Sequence, residues 1–244
     1  MLDFGGRPVV EVTINGKGPF KLIVDTGASV TVLDTSLAAD LGLAGTDVEV
    51  DELRIGPVVL AKLDVFVAPI ARIMRGDDIP RGVLSASAFH GHLVTFDYPA
   101  RKFFLQRGAL PPAESRTVFS YKGDDLPSVP VMVAGKEISV HLDTGAPYAL
   151  ALPTRYLKEL PLAGEPVRKG TARTHAGELP IFEATVVGDV TLGEFKLPVR
   201  VLRFTDVVPD PHARPRGQVG GEALKDFILT LDASNERLRL ARSA

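Results

Sequence analysis

The sequence predicts a mainly β protein built from two related halves, and three observations carry that prediction. Short apolar runs with a two-residue period dominate the chain, and Gly, Pro, Asn and Asp separate them. This pattern is typical of half-buried strands joined by turns. The tetrapeptide Asp-Thr-Gly-Ala occurs twice, at 25–28 and 143–146. The segments that flank the two copies also match one another, which indicates an internal duplication.

The expected elements follow from the alternation and from the helix signals between the strands. Strands are predicted at 9–14, 21–24, 58–67, 138–142, 183–192 and 237–242. One helix is predicted to begin at Asp34, a favourable N-cap, and to end at Gly42. A second is predicted over 153–160, where Pro153 suits a first helical position. Shorter helices are expected after Leu84 and Val219.

The composition excludes several classes of protein. The chain has 244 residues, 28 basic and 30 acidic ones, and a net charge of −2. That balance lacks the positive surplus typical of nucleic-acid binders. The absence of cysteine excludes disulfides, thiol catalysis and Cys-ligated metals. No apolar run approaches the roughly 20 residues of a membrane helix, so we expect a soluble protein.

The beginning of the chain predicts a compartment only conditionally. The first twelve residues contain neither a basic start nor the apolar core of a signal peptide. A full-length chain of this kind is expected in the cytoplasm. If an N-terminal signal was trimmed, the protein is expected in the periplasm or outside the cell.

The two halves align along most of their length. Residues 10–28 match 129–146 with one gap, and residues 81–105 match 216–240 without a gap, with six of 25 positions identical. The intervening segment is rich in Pro, Ser and charge, which indicates a connector. The predicted organisation is an N-terminal lobe at 1–110, a connector at 111–126 and a C-terminal lobe at 127–244.

The second half is longer, and the excess is localised. Asp25 and Gly82 are 57 positions apart, whereas Asp143 and Gly217 are 74 apart. The additional residues follow the second predicted helix, at 164–182, with Arg173, Thr174 and His175 near their centre. Two arms and a turn predict a hairpin that reaches about 25 Å at ~3.3 Å per residue. The first half is expected to have no such hairpin or a short one.

The repeated tetrapeptide places an aspartate where it can take part in proton transfer. Each copy follows an apolar strand, and its glycine permits a sharp turn that presents the aspartate. A pseudo-twofold arrangement would bring Asp25 and Asp143 together. Two carboxyls in contact hold one proton between them, so one can accept a proton from water while the other donates to a carbonyl oxygen. That pair of roles suits direct hydrolysis of an amide without a metal or another cofactor.

At these residues the sequence resembles the aspartic proteases, and in particular the retropepsin-like branch with two halves fused in one chain. The resemblance implies a bilobal, pseudo-twofold acid-protease fold with a few short helices. It implies an endopeptidase in which Asp25 and Asp143 activate a water, and which is active as a monomer. The expected partner is a peptide or protein substrate, with no cofactor, no metal and no nucleic acid.

The resemblance also implies roles for neighbouring residues. Thr26 and Thr144 would exchange hydrogen bonds beneath the aspartates, and the loops would be completed by Gly27, Ala28, Gly145 and Ala146. The family's apolar-apolar-Gly segment fits Gly217-Gln218-Val219-Gly220, whereas Gly82-Val83-Leu84-Ser85 departs by its serine. The hairpin at 164–182 stands where the family has a flap that closes over substrate. Ser29, Arg173, Thr174 and His175 become substrate-facing candidates, and Pro147 replaces the serine in the second half.

Other readings of the sequence stay open. A degenerate relative could keep the fold and bind peptides without cutting them, and a structural or regulatory domain could contain repeats that merely pack. His90 and His92 could be metal ligands, although no acidic ligand pairs obviously with them. His141 lies two positions before Asp143, but Ile23 stands at the equivalent place, which favours a packed residue. The basic run at 212–217 is interpreted as a solvated loop.

Overall fold

The structure is a computed structural model that describes residues 1–72, 74, 77–121, 126–174, 177–206 and 216–243, with the backbone alone at 173, 174 and 177. These ranges contain 21 strands and two short α-helices, which confirms the predicted mainly β class with few helices. The strands form a seven-stranded, a nine-stranded and a five-stranded sheet.

The first half begins with nine strands and one α-helix. Their bounds are β1 Leu2–Phe4, β2 Arg7–Ile14, β3 Lys17–Asp25, β4 Thr31–Asp34, α1 Thr35–Leu41, β5 Asp47–Ile55, β6 Val58–Ala68, β7 Gly82–Ser85, β8 Leu93–Asp97 and β9 Lys102–Gln106. Strands β1 to β7 form one sheet in the order β1-β2-β3-β7-β4-β6-β5. Because β5 also pairs with β2, six of these strands close into a barrel.

The second half repeats this plan with an added hairpin. Its elements are β10 Val118–Ser120, β11 Ser128–Val133, β12 Lys136–Asp143, β13 Leu150–Leu152, β14 Val167–Thr174, β15 Gly177–Thr185, β16 Val190–Leu192, β17 Phe195–Lys196, β18 Val201–Phe204, β19 Gly217–Gly220, α2 Gly221–Leu224, β20 Phe227–Asp232 and β21 Arg237–Arg242. The nine-stranded sheet has the order β14-β15-β18-β13-β19-β12-β11-β16-β17.

The five-stranded sheet joins the two halves. Its order is β10-β21-β20-β8-β9, so strands from both halves hydrogen-bond in it. The central pair is antiparallel and sets Thr95 opposite Thr230, whose hydroxyls lie 3.1 Å apart. Strand β10 lies inside the segment predicted as a connector. The halves therefore share backbone pairing as well as side-chain contacts, and a single apolar core runs through both.

One of the predicted local elements is confirmed, and two differ from the structure. The Asp34 side chain accepts from the Ser36 N–H and Gly42 ends α1 in the left-handed conformation, which confirms that helix. The helix expected at 153–160 is instead a single 3₁₀ segment, Thr154–Lys158, with Pro153 just before it. The strand expected at 183–192 is wrong as one element, because it breaks between β15 and β16 around Gly188, which has a positive φ.

Short 3₁₀ or α segments follow both strands that run behind the repeated loops. Residues Ala86–Phe89 form a 3₁₀ helix after β7, and Gly221–Leu224 form α2 after β19. Both were expected from the sequence. Further 3₁₀ turns lie at Ile70–Arg72 and Ala233–Asn235. Among the described residues, none of the helices has the length and apolar character that crossing a bilayer requires.

We predict that Asp232→Ala lowers the free energy of unfolding by about 2–4 kcal/mol, because it leaves buried hydrogen-bond donors without an acceptor. Asp232 is 1% exposed, and its carboxylate accepts from the Leu110 N–H at 2.8 Å and from Asn235. Asp97 is its repeat equivalent, but among the described residues only the exposed Ala100 N–H donates to its carboxylate. Urea unfolding of Asp97→Ala should show a loss of about 0.5 kcal/mol or less. Equal losses in the two variants would contradict this account.

Candidate active site

The two repeated aspartates end long strands at equivalent places in the halves. Asp25 is the last residue of β3 and pairs in parallel with Ser85 of β7. Asp143 is the last residue of β12 and pairs in parallel with Gly220 of β19. The strand behind each aspartate thus anchors its backbone, and both carboxyls leave their sheets at the start of a tight loop.

The carboxyls meet between these loops. A β-carbon on Gly27 would lie 2.5 Å from Cγ of Asp143, and one on Gly145 would lie 2.4 Å from Cγ of Asp25. Each carboxyl therefore packs against the backbone of the opposite loop, where only glycine leaves enough space. The two carboxyls are close enough for each to affect the pKa of the other. We call these two residues the carboxyl pair.

Burial and mutual charge dominate the electrostatics of the pair. Desolvation raises the pKa of Asp143, and the neighbouring Asp25 charge raises it further, to well above 3.8. Desolvation also raises the pKa of Asp25, although the Gly27 N–H, which donates to Oδ1 at 2.7 Å, acts in the opposite direction. One proton is therefore retained by the pair at pH values where a lone aspartate has lost its own.

The two threonines lock the loops together below the pair. Thr26 and Thr144 are both fully buried. The Thr26 N–H donates to the Thr144 hydroxyl at 3.1 Å, and the Thr144 N–H donates to the Thr26 hydroxyl at 3.0 Å. Each hydroxyl donates in turn across the interface, from Thr26 to the Leu142 carbonyl at 2.5 Å and from Thr144 to the Val24 carbonyl at 2.8 Å.

The strand behind each loop accommodates a different residue in the two halves. A β-carbon on Gly220 would lie 2.2 Å from the Tyr148 carbonyl oxygen, so glycine is required there. Ser85 fits in the first half, where its hydroxyl donates to the Ala28 carbonyl at 2.6 Å. The serine that departs from the family pattern thus ties the first loop to its backing strand.

The loops differ in length by one residue. Strand register makes Val32 equivalent to Ala151, because these residues pair with Val83 and with Gln218, respectively. Val32 lies seven positions after Asp25, whereas Ala151 lies eight positions after Asp143. The second loop therefore contains one more residue than the first. Ser29 and Pro147 are both exposed, and proline has no N–H to offer a ligand. Ala28 and Ala146 close their loops by donating to the carbonyls of Asp25 and Asp143, respectively.

The predicted hairpin lies within the second half. Strands β14 and β15 pair antiparallel from Val167↔Glu183 to Thr174↔Gly177, with a bulge between Arg168 and Gly170. Arg173 and Thr174 are at the tip of β14, and His175 lies outside the described residues. In the first half, only five residues separate α1 from β5, so no corresponding hairpin is inserted there.

Three residues that the sequence reading did not select contact the site. The Gln218 amide donates to Oδ2 of Asp143 at 3.0 Å, and the Tyr148 hydroxyl donates to Oε1 of Gln218. Arg7 Nε donates to the Gly145 carbonyl at 2.8 Å. Within the segment 217–220, which was matched to the apolar-apolar-Gly pattern, Gln218 is polar. That polar residue at an apolar position was the available signal, whereas nothing local marks Arg7 or Tyr148.

Cross-strand pairing extends the Gln218 side of the site into a polar row. Ala151 pairs with both Gln218 and Arg203, and Arg203 pairs with Glu183. Residues paired in this way present their side chains on one face of a sheet. The Arg203 guanidinium lies 4.8 Å from the Tyr148 ring centre and 4.0 Å from the Glu183 carboxylate.

The equivalent row of the first half is mostly apolar. Val32 pairs with Val83 and Phe66, and Phe66 pairs with Asp47. Phe66 is 40% exposed although it is a large apolar residue. The row of the first half therefore has three apolar members and ends at Asp47, whereas the row of the second half has Gln218, Arg203 and Glu183 around Ala151.

The three histidines that the structure describes do not contact the carboxyl pair. His141 is buried, and its Nδ1 lies 2.8 Å from the Ser128 hydroxyl; desolvation and the nearby Arg216 lower its pKa. His90 is exposed after the 3₁₀ helix, next to a turn that holds His92. No group of three potential metal ligands occurs in the part of the chain that the structure describes. The basic run lies mostly outside the described residues.

Comparison with known proteins finds a family match over more than half of the chain. The sequence model of a family described as aspartyl protease matches residues 10–50 and 129–232, which together exceed half of the chain. A search of the curated proteins finds no match. The two matched regions fall in the two halves. The match and the β architecture confirm the acid-protease fold class and the family resemblance carried by the sequence.

We predict that Thr26→Val lowers the free energy of unfolding by about 2–5 kcal/mol, because it leaves the Leu142 carbonyl and the Thr144 N–H without partners in a dry interface. Thr26→Ser retains the hydroxyl and should lose about 1 kcal/mol or less from the missing methyl group. Urea unfolding of both variants measures the difference. A valine variant as stable as the serine variant would show that these bonds do not hold the halves together.

Proposed function

This chain belongs to the aspartyl protease family, and from that premise we propose that it is an aspartic endopeptidase whose single chain supplies both halves of one active site. The observation that carries the proposal is the carboxyl pair: two aspartates at equivalent strand ends meet between the loop glycines Gly27 and Gly145, and burial raises the pKa of both. Asp25 and Asp143 are the proposed catalytic residues. A monomer suffices, because both carboxyls come from one chain.

The proposed chemistry conserves protons between the two carboxyls. The ionised carboxyl accepts a proton from water as the water oxygen bonds to the peptide carbonyl carbon. The neutral carboxyl donates its proton to the carbonyl oxygen, which gives a neutral tetrahedral intermediate. The carboxyl that took the proton from water then donates it to the amide nitrogen, while the other carboxylate takes back a proton from one hydroxyl of the intermediate. The C–N bond breaks, an amine and a carboxylic acid are released, and the pair again holds one proton. The chain needs no covalent intermediate for this sequence of steps.

An extended peptide is the proposed substrate. The site lies at strand ends, where a peptide in β conformation can hydrogen-bond along backbone groups and place alternate side chains in separate pockets. The β14–β15 hairpin is proposed to act as the flap, with Arg173, Thr174 and His175 as contact candidates. Ser29 is the proposed backbone contact of the first half, and Pro147 cannot supply the same donor.

The asymmetry of the two rows supports an asymmetric specificity. Val32 and Phe66 favour an apolar substrate side chain on the first-half side, because its burial removes apolar surface from water. Arg203 and Glu183 favour a polar or charged side chain on the other side. The preferred cleavage site is therefore expected to differ in character on the two sides of the scissile bond.

We predict that Asp25→Asn and Asp143→Asn each lower peptide cleavage by about 100-fold or more, because either change removes one partner of the proton exchange. Digestion of a peptide library, read by mass spectrometry, measures both the rate and the specificity. Asp97→Asn, at the half-buried end of β8, serves as the control and should cleave like the wild type. Peptide binding without cleavage by the wild type would instead support a binding module.

The pH dependence of kcat/KM should be bell-shaped. At low pH both carboxyls hold protons and neither accepts one from water; at high pH both are ionised and neither donates. Because burial raises the pKa values of both carboxyls, activity is lost on the basic side only as the pH rises through the higher of the two values of the pair. The maximum should lie at mildly acidic pH, and activity that still rises toward about pH 8 would contradict the shared proton.

A further inference from the structure

One oxygen of the carboxyl pair is held by a side-chain amide. Gln218 lies on β19, two positions before Gly220, the residue that pairs with Asp143. Its Nε2 donates to Oδ2 of Asp143 at 3.0 Å. An amide nitrogen donates but does not accept, so Oδ2 acts as an acceptor in this arrangement. If Asp143 carries the shared proton, that proton lies on Oδ1.

A second residue fixes the orientation of this amide. The Tyr148 hydroxyl donates to Oε1 of Gln218, which leaves Nε2 directed at the carboxylate. Desolvation and the charge of Asp143 raise the pKa of Tyr148, so its hydroxyl keeps its proton. Arg203 lies over the Tyr148 ring at 4.8 Å and faces Glu183. Gln218 is thus supported from the side of the hairpin strand β15.

The first half has no equivalent of this contact. The pairs Ile23↔Val83 and Asp25↔Ser85 of the first half correspond to His141↔Gln218 and Asp143↔Gly220 of the second. Val83 therefore occupies the position of Gln218 and has no polar group to donate. The two carboxyls are chemically alike but receive different side-chain support, and only Asp143 receives an amide donor from the strand behind it.

We propose that Gln218, held by Tyr148, is a positioning residue that keeps Oδ2 of Asp143 free of the shared proton and stabilises the singly ionised carboxyl pair. The proposal rests on the proposed function for its kinetic consequence. A hydrogen bond donated to a carboxylate favours the charged form. Gln218 thereby opposes the effect of burial and extends the active, one-proton state of the pair to lower pH.

Other charged and titratable groups also face the pair. Arg7 of β2 lowers the pKa of Asp25 by its positive charge. Burial and the charges of both aspartates raise the pKa of Tyr98, which follows β8, and that of Tyr148. Arg203 lies over the Tyr148 ring, and His141 is paired with Ser128. A change confined to Gln218 leaves these groups in place, so a shift in titration reports the amide.

The test compares Gln218→Leu with Val83→Leu, the matched change at the equivalent position of the other half. Removing the amide donor should move the acidic limb of the kcat/KM profile upward by about one pH unit, the value of one hydrogen bond to a charged group. Val83→Leu should keep the wild-type position of that limb, whatever it does to the absolute rate. An unmoved limb in Gln218→Leu overturns the proposal.

Tyr148→Phe provides a second variant that removes a single oxygen. Its limb should move in the same direction by a smaller amount, because the amide stays but loses its fixed orientation. Adding it to Gln218→Leu should give no further shift, since Tyr148 acts through Gln218. Full additivity of the two shifts would overturn the proposed order of contacts. Tyr148→Phe also carries the test if Gln218→Leu does not fold.

A titration without substrate separates this proposal from the proposed function. Carbon-13 NMR of aspartate-carboxyl-labelled protein follows ionisation of the pair directly, with Asp25→Asn and Asp143→Asn assigning the signals. The first ionisation should occur at higher pH in Gln218→Leu than in the wild type or Val83→Leu. If Gln218→Leu shows that shift but the wild type cleaves no peptide, the positioning role is upheld and the protease function is rejected. Cleavage by the wild type with no shift in either measurement rejects the positioning role alone.

Discussion

The reciprocal hydrogen bonds between Thr26 and Thr144 are the interaction on which the site depends. They join two loops that are 118 residues apart in sequence, and they do so with both side chains fully buried. Each hydroxyl also donates to a carbonyl of the opposite half. A shift of either loop would therefore leave buried polar groups without hydrogen-bond partners. The closeness of Asp25 and Asp143, and hence their shared proton, follows from this constraint.

The two halves are alike at the aspartates and differ around them. Strand pairing places Val83 and Gln218 at equivalent positions, yet only Gln218 contacts a carboxyl. Ser85 ties its loop by a hydroxyl, whereas Gly220 leaves room for a loop with one more residue. A homodimer would impose identical halves, but a single chain can give two like carboxyls unlike surroundings. That freedom separates their protonation states and makes one side of the site polar.

Much of this arrangement was predictable from the sequence, and what was not has physical reasons. The alternating runs, the two Asp-Thr-Gly-Ala loops and the gapless downstream repeat indicated the strands, the halves and the residues that would meet. The 3₁₀ segment at Thr154–Lys158 was missed because helix signals do not distinguish it from an α-helix. Tyr148 and Arg7 were missed because their partners lie 70 and 138 residues away, and no local pattern records such contacts.

The central claim is that two carboxyls from the two halves hold one proton between them, and neutron diffraction tests it most directly. A crystal grown at mildly acidic pH and exchanged into heavy water would reveal the deuterium positions at the site. The account predicts one deuterium shared between the carboxyls of Asp25 and Asp143, with Oδ2 of Asp143 accepting from Gln218. A deuterium on each carboxyl, or carboxyls too far apart to share one, would contradict it.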